Sequence, residues 1–338
     1  MSVVKSSLKK LVDQQDLSFE EARQAFSEIM TGQCSEPLIA AWLTASMMKG
    51  ESSDEIAAGI EIMRENVLQI PCNDKNAVDI VGTGGDGLGT YNISTASVFV
   101  TAGAGVTVAK HGNRALSSKS GSADVLSSLG INTNCTAEKM AQCLEDINLS
   151  FMFAPLLHPA MKYAIGPRRE MGIRTIFNLL GPMTNPAGVR RGLFGVFNAD
   201  FTRSLAKAAA KLGADHMLFA HGLDGLDEIS VCDKTLIVEV KGNEVTEYEI
   251  SPEDFGLKRH KIEDLLGGTP EENAIALRNV LKGEKNAYRD AVIINAAAGI
   301  YTAGKTNTLA EAIPLAEQSI DSGAALIKLD ELCSHTNS

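Results

Sequence analysis

The run Asp79–Phe99, DIVGTGGDGLGTYNISTASVF, constrains this chain more than any other stretch. A short apolar segment, AVDIV at 77–81, leads into five glycines within eight residues, Gly82 to Gly89. An apolar run broken by glycines and followed by small helix-forming residues reads as strand, tight loop, helix. Removing side chains there lets backbone N–H groups approach an anion, and a helix start at Asn92–Thr95 adds further donors. One carboxylate, Asp86, sits inside the loop, so a bare phosphate cradle does not account for the whole segment.

The same alternation continues. Residues 94–105 read as a helix, 106–110 as a strand, 122–130 as a helix, 192–198 as a strand, 199–213 as a helix and 216–222 as a strand. KTLIVEV and EVTEYEI, joined by KGN, read as an edge hairpin. The pattern predicts an α/β domain with a central, mostly parallel sheet flanked by helices, whose ligand site lies at the carboxyl ends of the strands. Before it, residues 1 to about 71 read as a small helical domain. Ser18 with Glu21 and Ser52 with Glu55 are capping-box signals, and Pro71 closes the block.

GTGGDG matches the dinucleotide fingerprint in form, but that fingerprint requires an acidic residue about 20 positions on. Gly87 to Ala123 contains no Asp or Glu, and instead holds Lys110, His111, Arg114 and Lys119. In a chain of 338 residues with net charge −11, such a window suits an anion. The overall acidity argues against nucleic-acid partners, and no apolar run has membrane-spanning length. Six scattered cysteines without a C-x-x-C pair point to reduced thiols and a cytoplasmic setting. Gly299–Thr306, GIYTAGKT, satisfies the Walker A pattern, yet it reads equally well as the end of a helix, and no second acidic strand motif accompanies it. HGLDGLDEIS at 221–230 places Asp227 beside Glu228 after a strand, an arrangement that can hold Mg²⁺ against phosphate.

Four segments in order, GTGGDGLGTYNIST, KHGNRALSSKSGSADVLSSLG, HPAMKYAIGPRREMGIRTIFNLLGPMTNPAG and HGLDGLDEIS, together resemble the anthranilate phosphoribosyltransferase family. Each segment alone is shared with pyrimidine nucleoside phosphorylases of similar fold, which are longer, and non-catalytic binding relatives of this fold form a further alternative. The resemblance implies a homodimer of two-domain subunits, with residues 1–71 helical, 72–338 α/β, and a segment near 166–188 returning to the helical domain. It implies transfer of 5-phosphoribose from phosphoribosyl pyrophosphate (PRPP) to the amine of anthranilate, with two Mg²⁺ per subunit, in tryptophan biosynthesis.

Carried over residue by residue, the resemblance puts PRPP on Gly82, Gly85, Asp86, Thr90, Asn92, Ile93, Ser94 and Thr95. It continues along the loop Lys110, His111, Gly112, Asn113, Arg114, Ala115, Leu116, Ser117 and Ser118, and ends at Ser122. Metal falls on Ser94, Asp227 and Glu228, and anthranilate on Gly82, Asn113 and Arg168. The catalytic candidates are Lys110, His111 and Arg168. Gly166-Pro167 precedes the pair Arg168-Arg169 where a more helical apolar residue is expected, and of the two arginines Arg168 is assigned to the acceptor carboxylate.

Overall fold

A computed structural model describes residues 2–115 and 119–338, so the candidates Leu116, Ser117 and Ser118 lie outside the described residues. The chain opens with four helices, α1 (Val3–Val12), α2 (Phe19–Met30), α3 (Glu36–Lys49) and α4 (Ser53–Glu65). Both predicted capping boxes form, Ser18 with Glu21 and Ser52 with Glu55. Glu55 is buried, and its other oxygen accepts from Leu17 N–H at 2.9 Å, which ties the start of α4 to the start of α2.

The α/β part follows in the order β1 (Asp79–Gly82), α5 (Ile93–Gly103), β2 (Val108–Gly112), α6 (Ser122–Ser128), α7 (Ala137–Ile147) and β3 (Leu149–Phe153). Three helices come next: α8 (Ala154–Leu157), α9 (Lys162–Met171) and α10 (Ile176–Leu180). Then come β4 (Arg191–Gly195), α11 (Ala199–Lys211), β5 (His216–Gly222) and the hairpin β6 (Thr235–Lys241) and β7 (Glu244–Ile250). Four helices end the chain: α12 (Pro270–Leu281), α13 (Ala287–Thr302), α14 (Leu309–Asp321) and α15 (Ala324–Asn337).

One sheet runs β1-β4-β5-β6-β7, parallel through β5 and antiparallel beyond it. β2 and β3 form a second, parallel pair, joined to the first sheet by the single bridge Val78–Val108. The predicted strand at 106–110 therefore lies two residues further on. β3 was not foreseen: LSFMF is buried on both faces, so it lacks the alternation that marks a half-exposed strand. The Walker-like segment is the buried end of α13 followed by a turn at Gly304 (φ +79°), so its first four residues are helical and cannot wrap a phosphate. Nearly every side chain of α13 is buried, because it runs between the sheet and α5, α14 and their neighbours; this explains its alanine-rich, non-amphipathic sequence.

The other face of the sheet is covered by α11, and beyond it by α1–α4 with α9 and α10. Phe177 of α10 meets Phe26 of α2 edge-on at 6.0 Å, and Phe26 meets Trp42 of α3 at 5.2 Å. Burying an aromatic ring of this kind stabilises by roughly 1.5–3 kcal/mol. That contact fixes where the α9–α10 segment sits, alongside the carboxyl ends of β1 and β4.

Candidate active site

β1, β4 and β5 deliver their carboxyl ends to one edge, and the loops that follow them converge there. The loop after β1 turns through left-handed glycines at Gly84, Gly85, Gly87 and Gly89, with φ between +68° and +81°. These values exclude most side chains. Gly82 and Gly195 have a different reason to be glycine. A Cβ on either would overlap Asp227, at its carboxylate in the first case and at its backbone carbonyl in the second. The glycines at the ends of β1 and β4 thus make room for a buried acid as well as for an anion.

Asp227 Oδ2 accepts from Gly84 N–H at 2.7 Å, and Glu228 Oε1 accepts from Ser94 N–H at 3.3 Å at the start of α5. Asp86 turns back on its own loop, accepting from Leu88 N–H at 3.2 Å. One oxygen from each of Asp86, Asp227 and Glu228 lies within 4.8 Å of the others. Burial pushes all three carboxyls upward, Asp227 to about 7, and in Asp227 and Glu228 the neighbouring carboxylates add to it. Three crowded oxygen donors that resist carrying their charges alone suit a hard divalent cation such as Mg²⁺.

The far end of the glycine loop is anchored to the 265–267 segment: Thr90 bridges Leu266, Tyr91 N–H donates to Leu265 O at 2.9 Å, and Gly267 N–H donates to Gly89 O at 2.9 Å. Asn92 is held by Asn273, Ser120 and Tyr288. Ile93 and Thr95 are buried in the first turn of α5. The loop after β2 is organised by Asp124, whose carboxylate accepts from Ala115 N–H and Gly121 N–H and pairs with Arg114 at 3.2 Å. Asn113 O accepts from Ala123 N–H at 3.2 Å, and Gly112 packs flush on Phe151 and Ser122.

Lys110 is buried, its ammonium donating to Ile80 O at 2.7 Å. Burial draws its pKa down, and Asp79 and Glu228 oppose that shift. His111 Nε2 meets His158 Nε2 at 3.1 Å. Burial holds both imidazoles low, His111 at about 3 and His158 at about 4, so both are neutral near pH 7. Arg168 on α9 lies with its guanidinium 5.3 Å from the Phe177 ring. Burial alone lowers its pKa and no acidic group opposes the shift, whereas Arg169 beside it is exposed. Pro167 sits inside α9 and is buried, so the Gly166-Pro167 departure is absorbed within a helix. Arg174, from the turn between α9 and α10, stacks on Phe197 at 4.3 Å and donates to Gly85 O.

Four contributors to this site carry no sequence signal of their own. Asp79 reads as a strand residue, Asn185 and His158 as loop residues, and Arg174 as one charge among many. Only the fold brings them to the strand ends.

The helical layer, the α/β layer and the acidic cluster at the glycine loop define a class. Residues 5–67 match the glycosyl transferase family helical bundle domain, and residues 74–326 match the glycosyl transferase family a/b domain. An anthranilate phosphoribosyltransferase of Methanobrevibacter smithii is 46% identical over 99% of this chain and 100% of its own length. The anthranilate phosphoribosyltransferase structure from Thermus thermophilus superposes with a TM-score of 0.93 at 41% identity, covering 100% of both chains. The Saccharomyces cerevisiae enzyme in complex with PRPP and Mg superposes at 0.90 with 28% identity, covering 99% of this chain and 98% of that one. This chain belongs to the anthranilate phosphoribosyltransferase family.

Proposed function

We propose that the protein transfers 5-phosphoribose from PRPP to the amine of anthranilate, releasing pyrophosphate, as a step of tryptophan biosynthesis. The observation that carries this reading is the Asp86–Asp227–Glu228 cluster, with Asp227 buried and its two neighbours half-buried, at the glycine loop. It supplies the oxygen donors that a magnesium-bound polyphosphate needs. Around it, the glycine loop, the amino end of α5 and the Lys110–Ser122 loop form the donor site. Gly82, Asn113 and Arg168 form the acceptor site. The yeast relative, solved with PRPP and Mg, supports this donor site by analogy.

The reaction breaks the bond from ribose C1 to pyrophosphate oxygen and forms one from C1 to the anthranilate nitrogen, and the displaced amine proton passes to water. Mg²⁺ held by Asp227 and Glu228, with Ser94 beside them, would supply charge neutralisation to the leaving pyrophosphate. Two ions per subunit fit the spread of acidic and hydroxyl donors here. Lys110 adds a fixed positive charge behind the same group. The His111 and His158 imidazoles, neutral and paired with each other, are too weak as bases at these pKa values to remove a proton before bond formation. Arg168, a half-buried cation that meets no acid among the described residues, fits the anthranilate carboxylate. Catalysis rests on orientation and on stabilising the departing charge.

The boundary between a helical domain of residues 1–71 and an α/β domain of 72–338 fits the packing of α1–α4, with the 166–188 segment returning to the helices. A homodimer fits the exposed Val12 and Met48 on α1 and α3. Six free cysteines fit a cytoplasmic setting. The test is the double variant Asp227→Asn/Glu228→Gln. It folds, loses turnover by two orders of magnitude or more, and loses the Mg²⁺ dependence. A wild-type Mg²⁺ profile in that variant overturns the metal assignment.

A further inference from the structure

β1 and β2 start as an ordinary parallel pair. Val78 N–H donates to Thr107 O and Ala109 N–H to Val78 O, both at 3.0 Å. The next rungs of a parallel ladder would be Ile80 N–H to Ala109 O and His111 N–H to Ile80 O. Neither forms, although β1 stays paired with β4 to Gly82 and β2 with β3 to Gly112.

Side chains occupy three of those four vacant backbone groups. Asp79, fully buried, accepts from His111 N–H at 3.2 Å. Asn185 Nδ2 donates to Ala109 O at 2.8 Å and to Asp79 Oδ2 at 2.7 Å. Lys110 Nζ takes Ile80 O at 2.7 Å. Two neighbouring strands thus part at their carboxyl ends while side chains pair three of the four polar groups freed there, groups that would be costly to leave unpaired at this burial. The gap opens between the glycine loop that follows β1 and the Lys110–Ser122 loop that follows β2.

We infer that Asp79 and Asn185 are positioning residues, an inter-strand wedge that sets the spacing of the two phosphate-binding loops and fixes Lys110 and His111 at their edge. The inference rests on the phosphoribosyl-transfer reading above. Neither residue touches substrate; both act through the strands they separate. Because PRPP is gripped from both loops while anthranilate takes its charged contact from Arg168 on α9, outside them, loosening the wedge weakens the donor site more than the acceptor site.

Two variants test this. Asn185→Ala removes the donor that Ala109 O and Asp79 share. Asp79→Asn is isosteric but turns one acceptor oxygen into a donor, so either Asn185 or His111 loses its partner; it carries the test should Asn185→Ala not fold. At pH 8, where Asp79 is ionised, both raise the KM for PRPP by about tenfold or more, the size of a lost hydrogen bond to a charged group. The KM for anthranilate moves less than about threefold. Calorimetric titration with PRPP and Mg²⁺, without acceptor, weakens in parallel. A purely structural role would lower the folded, active fraction and leave the KM for PRPP at its wild-type value; that result in folded variants overturns the wedge. If wild-type protein neither binds PRPP nor turns it over, the proposed function fails instead, and the two failures are told apart by the wild-type control.

Discussion

Arg168→Ala is the substitution whose consequences are most fully determined. The guanidinium sits half-buried against Phe177, and burial lowers its pKa with no acidic group to offset the cost. A cation held in that state gains most from an arriving anion, because the desolvation cost has already been met in the folded protein. A charge-assisted hydrogen bond to the anthranilate carboxylate contributes about 1.5–3 kcal/mol, or roughly 10- to 150-fold in affinity. The contact with Phe177 contributes a separate ~0.5–1 kcal/mol to the fold, and its loss lowers the melting temperature but not substrate affinity. Steady-state kinetics with each substrate varied in turn separates the two effects. The KM for anthranilate rises by one to two orders of magnitude, kcat falls little, and the KM for PRPP stays within about threefold, the signature of lost ground-state binding. The exposed neighbour provides the control: Arg169→Ala leaves both KM values near wild type. Equal damage to PRPP and anthranilate, or an anthranilate-selective defect in Arg169→Ala instead, refutes this placement of the acceptor.

Gly195→Ala forces a methyl group into the backbone of Asp227; calorimetry should report a loss of about 1–3 kcal/mol, and the apparent affinity for Mg²⁺ should fall with it. With both imidazoles held at or below about 4, kcat/KM for anthranilate shows no limb near pH 6.5 that belongs to histidine; a limb that vanishes in His111→Asn contradicts this. Lys305→Ala retains PRPP turnover and the wild type hydrolyses no ATP, because Gly299–Thr302 is buried helix; an ATPase activity lost in the variant would reverse that conclusion.

The parts of this molecule legible in its sequence are those whose physics is local. Capping boxes, the glycine loop, the hairpin at 234–250 and the adjacent acids at 227–228 all signal themselves within a few residues, and each appears where it was expected. β3 was hidden because burial on both faces erases alternation. The wedge was hidden for a different reason: Asp79 and Asn185 lie 106 residues apart and acquire meaning only where β1 and β2 diverge. From sequence the glycine loop reads as clearance for an anion, and in the structure Gly82 and Gly195 also give clearance to Asp227. Arg174 and His158 belong to the same category, single polar residues made significant by the segments that carry them to the strand ends.

The most direct test of the central claim is the fluorescence of anthranilate mixed with the purified protein. Fluorescence is expected to decay only when PRPP and Mg²⁺ are both present, with pyrophosphate appearing in equal amount. Unchanged fluorescence with PRPP bound would mark a non-catalytic binding protein, and phosphorolysis of a pyrimidine nucleoside in place of that decay would mark a nucleoside phosphorylase; either result contradicts the account.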